Sequence, residues 1–122
     1  MHTVLVIEDD PDMREIERTA LGGDGYVLVM ATNGWEGLEA LAQVRPCLIL
    51  LDLMMPGMDG LTFLAERHKR QLAEGVPILC LSAASDAMVE HALRLGALEC
   101  IQKPVDFEQL FDRVGRYCLH EH

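Results

Sequence analysis

Short apolar runs alternate along the chain with longer stretches in which apolar residues recur at helical spacing. The runs occupy residues 4–7, 26–31, 48–51 and 78–81, with a weaker one at 100–101. After the first run come Met13, Ile16 and Ala20, spaced as one face of a helix. After the second come Trp35, Leu38, Leu41 and Ala42, and after the third Leu61, Leu64 and Ala65. Met88, Ala92 and Leu95 follow the fourth, and Phe107, Leu110, Phe111 and Val114 follow the fifth. Five rounds of strand then helix predict an α/β domain with a mostly parallel sheet. A run that is apolar on consecutive residues, such as Leu48-Ile49-Leu50-Leu51, suits a sheet covered by helices on both faces.

The polar punctuation agrees. Asp10-Pro11 has the form of a helix cap with proline at the first helical position. Gly22-Gly23-Asp24-Gly25 stops the first helix, and Asn33-Gly34, Pro56-Gly57, Gly75 and Gly96 mark further turns or helix ends. No linker, repeat or low-complexity segment interrupts the series, so a single domain over residues 1–122 is expected. Half of the residues are apolar and a quarter charged, which excludes a disordered chain.

The charge is acidic and unevenly placed. Twenty Asp and Glu face ten Lys and Arg, a net charge of −10. Residues 1–17 hold six of the carboxylates (Glu8, Asp9, Asp10, Asp12, Glu15, Glu17) against one base, Arg14. A broad basic face for nucleic acid is absent, so no direct nucleic-acid binding is expected. No apolar run nears the roughly 20 residues that cross a bilayer, and no basic leader precedes the first run, so the expectation is a cytoplasmic protein without membrane insertion. Cys47, Cys80, Cys100 and Cys118 form no C-x-x-C pair, and their spacing predicts reduced core thiols rather than a zinc site or disulfides.

In an open parallel sheet, ligands bind beyond the carboxyl ends of the strands, where the strand order reverses. Here the first strand runs into Glu8, Asp9 and Asp10, the third into Asp52, the fourth into Ser82 and the fifth into Lys103. Several carboxylates at one edge repel one another unless a cation neutralises them. Oxygen ligands without His or Cys suit magnesium, which commonly works beside phosphate oxygens. A lysine and a hydroxyl at the same rim suit the remaining oxygens of a phosphoryl group, and one carboxylate can act as nucleophile. Asp52, after the most apolar strand, is the best candidate.

These segments together resemble a known family. Val4-Leu5-Val6-Ile7-Glu8-Asp9-Asp10-Pro11, the stretch D-L-M-M-P-G-M-D-G from Asp52 to Gly60, Leu81-Ser82-Ala83 and Gln102-Lys103-Pro104 are similar to the receiver domain of two-component response regulators, over nearly the whole chain. The resemblance implies a flavodoxin-like, doubly wound five-stranded sheet of order 2-1-3-4-5 with five helices. It implies that Asp52 accepts a phosphoryl group from the phosphohistidine of a sensor histidine kinase or phosphotransfer protein, as a self-modifying switch rather than a turnover enzyme. It implies Mg2+ held by Glu8, Asp9, Asp52 and the Met54 backbone carbonyl, with Ser82 and Lys103 on the phosphoryl group and a cis peptide before Pro104. Output is then expected through the face of the fourth helix, fifth strand and fifth helix, where Arg94, His91 and Gln102 lie.

Simpler roles compete residue by residue. Asp10 is a helix cap and stays outside the metal set. Ser82 alone could cap the helix that begins near Asp86. The methionines at 54, 55 and 58 fill gaps, Trp35, Phe107 and Phe111 are core or near-core, His68 and His91 are solvated, and His120 and His122 belong to a tail. Cys100 stands where receivers usually carry Tyr or Phe, so transmission by a swinging ring is lost and rests on backbone shifts or is muted. That departure is the one feature favouring a second reading, a phosphate-independent binding module. Met54 and Ala84, two residues beyond Asp52 and Ser82, offer no side chain to orient a water, so self-dephosphorylation without side-chain help, not among the fastest of the family, is expected. A dehalogenase-type phosphatase would want a second Asp at position 54, and a flavin carrier a hydroxyl-rich loop after the first strand; both fit poorly.

Overall fold

In the computed structural model, which describes residues 2–23, 25–83 and 85–118, each apolar run becomes a strand and each periodic stretch a helix. The order is β1 (Thr3–Ile7), α1 (Pro11–Gly22), β2 (Val27–Ala31), α2 (Gly34–Leu41), β3 (Leu48–Asp52), α3 (Gly60–Lys69), β4 (Ile78–Ser82), α4 (Asp86–Arg94), β5 (Glu99–Gln102) and α5 (Phe107–Cys118). Ala84, to which the expectation of unassisted self-dephosphorylation partly refers, and the tail histidines His120 and His122 lie outside the described residues.

All strand pairs are parallel, and the sheet order is β2-β1-β3-β4-β5, as expected. β3 is buried along its whole length. Its side chains alternate between two cores, as strand geometry requires. Ile49 and Leu51 join Leu38, Leu41, Phe63, Leu64 and Ala92 from α2, α3 and α4. Leu48 and Leu50 join Leu21 of α1 and Leu110, Val114 and Cys118 of α5. Ile7 pairs with Leu51, so β1 and β3 end side by side where the strand order reverses.

Side-chain caps set the helix starts. Asp10 caps α1 ahead of Pro11, and Asn33, Asp59 and Ser85 cap α2, α3 and α4. Because Ser85 takes the cap of α4, Ser82 keeps its place as the last residue of β4.

Three expectations are corrected. In α1 the inward stripe is Glu17 and Leu21, while Ile16 is exposed. A carboxylate at an inward position shifts the apparent apolar phase by one residue. Trp35 is 54% exposed rather than core. The inner face of α2 is made of Gly34, Gly37, Leu38 and Leu41, and a Cβ on Gly37 would stand 2.5 Å from Ile7 Cδ1, so this face is too close to the sheet for an indole. Cys47 and Cys118 form a disulfide, where reduced thiols were expected; Cys80 and Cys100 remain free. A pairing across 71 residues leaves no local spacing signal.

Gly60 opens α3 directly against the end of β3. A Cβ there would lie 2.6 Å from Leu53 Cα and 3.0 Å from the Asp52 carbonyl oxygen. Gly60→Ala must push the helix off this backbone and is expected to lose about 1–3 kcal/mol of stability, read as a lower urea midpoint at unchanged slope.

Candidate functional site

The carboxyl ends of β1, β3, β4 and β5 bring the predicted residues to one crevice. Asp52 is the last residue of β3 and is 3% exposed. Glu8 and Asp9 follow β1, Glu8 buried and Asp9 half-buried. Carboxylate oxygens of Glu8, Asp9 and Asp52 all lie within 4.8 Å of one another. Lys103 follows β5 and reaches back across the rim, its Nζ 3.4 Å from Asp52 Oδ2 and 3.9 Å from Glu8 Oε1.

The backbone fixes these positions. The Leu53 N–H donates to the Leu81 carbonyl (3.2 Å) and the Lys103 N–H to the Ser82 carbonyl (2.9 Å), which locks the ends of β3, β4 and β5 together. The peptide between Lys103 and Pro104 is cis, as the resemblance implied. The Met54 N–H donates to Asp52 Oδ1 (3.0 Å), while the Met54 side chain is exposed.

Electrostatics follow from the crowding. Burial, and next the adjacent Asp52 carboxylate, push Glu8 up to about 8, against the Asp10 N–H and Lys103, which favour its charged form. Glu8 Oε1 is buried without a hydrogen-bond partner. A buried, unsatisfied carboxylate oxygen beside two further acids is a donor set with room for a hard dication, so these residues fit magnesium.

Two residues at the site gave little warning in the sequence. Arg14 Nη1 donates to the backbone carbonyls of Glu8 and Asp9, both at 2.9 Å, and so holds the acidic pair from behind. The signal was its being the one base among six acids. Glu17, on the next turn of α1, is 1% exposed with both carboxylate oxygens unpartnered. Burial raises its carboxyl to about 7, with Lys103 and Arg14 pulling the other way and Asp52 and Asp10 adding to the rise.

Cys100 faces Cys80 across the β4–β5 pair. The hydrogen bond between them, reinforced by burial, raises the Cys80 thiol above the ordinary range, and the same bond lowers Cys100. Cys100 also borders, with Ser82, Asp86, Val89 and Gln102, a cavity of about 140 Å³. His68 and His91 are exposed, as expected.

Both Arg14 and Glu17 are open to direct measurement. Arg14→Ala leaves two part-buried carbonyls without their donor and is expected to destabilise the chain by about 1–3 kcal/mol in urea titrations. For Glu17, the folded chain holds a proton that the unfolded chain releases near 4.5. Stability therefore falls as pH rises from about 4.5 to 7 and levels off above. Glu17→Leu removes this slope, so the variant's advantage over the wild type should grow across that window by on the order of 2–3 kcal/mol. Denaturation at pH 5 and pH 8 checks it.

Comparison with known proteins agrees with this geometry. The model of the family described as the response regulator receiver domain matches residues 4–115. Sporulation initiation phosphotransferase F of Bacillus subtilis is 30% identical over 93% of this chain and 91% of its own length. The probable C4-dicarboxylate response regulator DctR of Priestia megaterium is 36% identical over 94% of this chain, which spans 51% of that protein. Among solved structures, the Vibrio cholerae chemotaxis protein CheY4 superposes with a TM-score of 0.88 at 27% identity, covering 96% of this chain and 98% of that one. The receiver domain of the Pseudomonas aeruginosa sensor histidine kinase PA1611, determined with a magnesium ion in its active-site cleft, gives 0.85 at 25% identity over 95% and 96%. With its parallel sheet of order 2-1-3-4-5 and its acidic crevice, the chain belongs to the response regulator receiver domain family.

Proposed function

We propose that Asp52 is the phosphoacceptor of this receiver, and that the observation carrying the reading is its buried carboxylate between the Lys103 ammonium and the acidic pair. Asp52 attacks phosphorus, a P–O bond forms, and the P–N bond of a phosphohistidine breaks, its imidazole nitrogen taking a proton from solvent. The donor is a sensor histidine kinase or a phosphotransfer protein. Glu8, Asp9, Asp52 and the Met54 carbonyl hold Mg2+, which when bound neutralises charge gathering on the phosphoryl oxygens. Lys103, already 3.4 Å from Asp52, moves its ammonium onto the transferred group, and the Ser82 hydroxyl accompanies it. Met54 offers no acid or base for the reverse attack by water, which favours a slow return. The domain positions and neutralises; it modifies itself and does not turn over a substrate.

Output then passes to a protein partner through α4, β5 and α5, where His91, Arg94 and Gln102 are exposed. We propose that residues 1–122 form one receiver domain, which works in the cytoplasm without direct nucleic-acid contact of its own; among the described residues no helix is long and apolar enough to cross a membrane. A phosphate-independent module would have no use for a lysine held against the buried Asp52 carboxylate.

Incubation with a phosphohistidine donor and Mg2+ should place one phosphoryl group on Asp52, located by mass spectrometry, with none on Asp52→Asn. Lys103→Ala should slow the transfer by roughly 10²–10³-fold while leaving the fold intact. Modification of Asp52→Asn at the wild-type rate would move the acceptor elsewhere.

A further inference from the structure

At the opposite edge of the sheet from the acidic crevice, the amino-terminal ends of β1 and β3 border a cavity of about 230 Å³. Its lining includes Cys47, Arg45, His2 and Gly75. Cys47 immediately precedes β3 and is bonded to Cys118, the last residue of α5. We infer that this bond is a thiol–disulfide exchange site, at which a small carboxylate-bearing thiol enters the cavity, attacks Cys47 and unfastens the end of α5.

The two sulfurs are not equivalent. Cys118 closes the buried stripe of α5 after Leu110 and Val114 and has no exposed surface, whereas Cys47 is 7% exposed and lines the cavity. Attack is therefore directed to Cys47. The entering thiolate bonds to Cys47 Sγ, and the bond to Cys118 breaks. Cys118 leaves as thiolate and takes a proton. A second molecule of the same thiol then attacks the mixed disulfide, giving the small-molecule disulfide and the Cys47 thiol. Two electrons pass from the two thiols to the protein. The freed Cys47 thiol has an acceptor in place, the Thr3 carbonyl oxygen at 3.3 Å. Arg45, exposed at the rim with its guanidinium on the Glu74 carbonyl, presents positive charge to an entering carboxylate.

The consequence falls on α5. Its amino end follows the Lys103–Pro104 segment at the acidic crevice, and its carboxyl end is tied by this bond to the start of β3, about 16 Å down the strand from Asp52 at roughly 3.3 Å per residue. With the bond open, the end of α5 keeps the Tyr117 hydroxyl on the Glu99 carboxylate and the Arg113–Glu99 ion pair at 3.6 Å. The helix remains docked but less restrained. This inference does not depend on Asp52 accepting a phosphoryl group.

The test begins with protein equilibrated with oxidised glutathione and alkylated with iodoacetamide in denaturant without reductant. Peptide mapping should recover Cys47 joined to Cys118, with alkylation at Cys80 and Cys100. Native protein treated with reduced glutathione and quenched in acid should carry the adduct on Cys47. Arg45→Gln should slow that reaction several-fold and leave the reaction with 2-mercaptoethanol, which has no carboxylate, unchanged. Reduction should lower the melting temperature by roughly 10 °C, as expected for opening a long loop. Cys118→Ser should melt with the reduced wild type whatever the redox buffer, and the reduced wild type gives the same readout without a substitution. Alkylation of both Cys47 and Cys118 in the oxidised sample, an adduct on Cys118, equal effects of Arg45→Gln on both thiols, or a melting temperature indifferent to reduction would each overturn the inference.

Discussion

Mutual repulsion among Glu8, Asp9 and Asp52 is the constraint around which this molecule is arranged. Three carboxylates within 4.8 Å, two of them buried, are tolerated only where positive charge and donors are held close. Lys103 supplies the charge from the far edge of the sheet, and Arg14 fixes the backbone that carries the acidic pair. Burial first, and then the neighbouring Asp52 carboxylate, raise Glu8 to about 8, and the three acids together form a donor set that fits a hard dication. Phosphoryl chemistry on Asp52, as proposed, uses the same imbalance: a site short of positive charge attracts the cation that a transferred phosphoryl group also needs.

The sheet makes this concentration of charge possible. β3 is apolar on both faces and buried throughout, so its last residue is held at a fixed height between two cores. The reversal of strand order between β1 and β3 opens the crevice there and nowhere else in the sheet. Close approach of α3 through Gly60 seals the far side of Asp52. The acids are thus carried at the ends of two buried strands, which suits a site whose chemistry depends on position.

On the α1 and α5 side the packing is less regular. Glu17 sits at an inward position of α1 with no partner for either oxygen, and a disulfide ties α5 to the sheet below it. The first weakens that face as pH rises from about 4.5 to 7, and the second fastens it. On the other face of the sheet, Cys100, in place of a large ring, borders a cavity beside Ser82. The disulfide ends α5 and Cys100 lies on β5, two of the elements proposed to carry output, while Glu17 belongs to α1, electrostatically coupled to Lys103 and Asp52.

The sequence by itself determined the strand and helix order, the cap at Asp10, and the presence of Glu8, Asp9, Asp52, Ser82 and Lys103 at one edge. Each of those is written locally, in a run of apolar residues, a spacing or a residue following a strand. Tertiary structure alone decided which face of α1 turns inward, why Trp35 points to solvent, that Arg14 reaches back to two carbonyls, and that Cys47 meets Cys118. These depend on distances between segments far apart in the chain. Hydrophobic periodicity reports where a side chain prefers to be, and a buried carboxylate such as Glu17 defies that preference because its neighbours in space, not in sequence, determine what surrounds it.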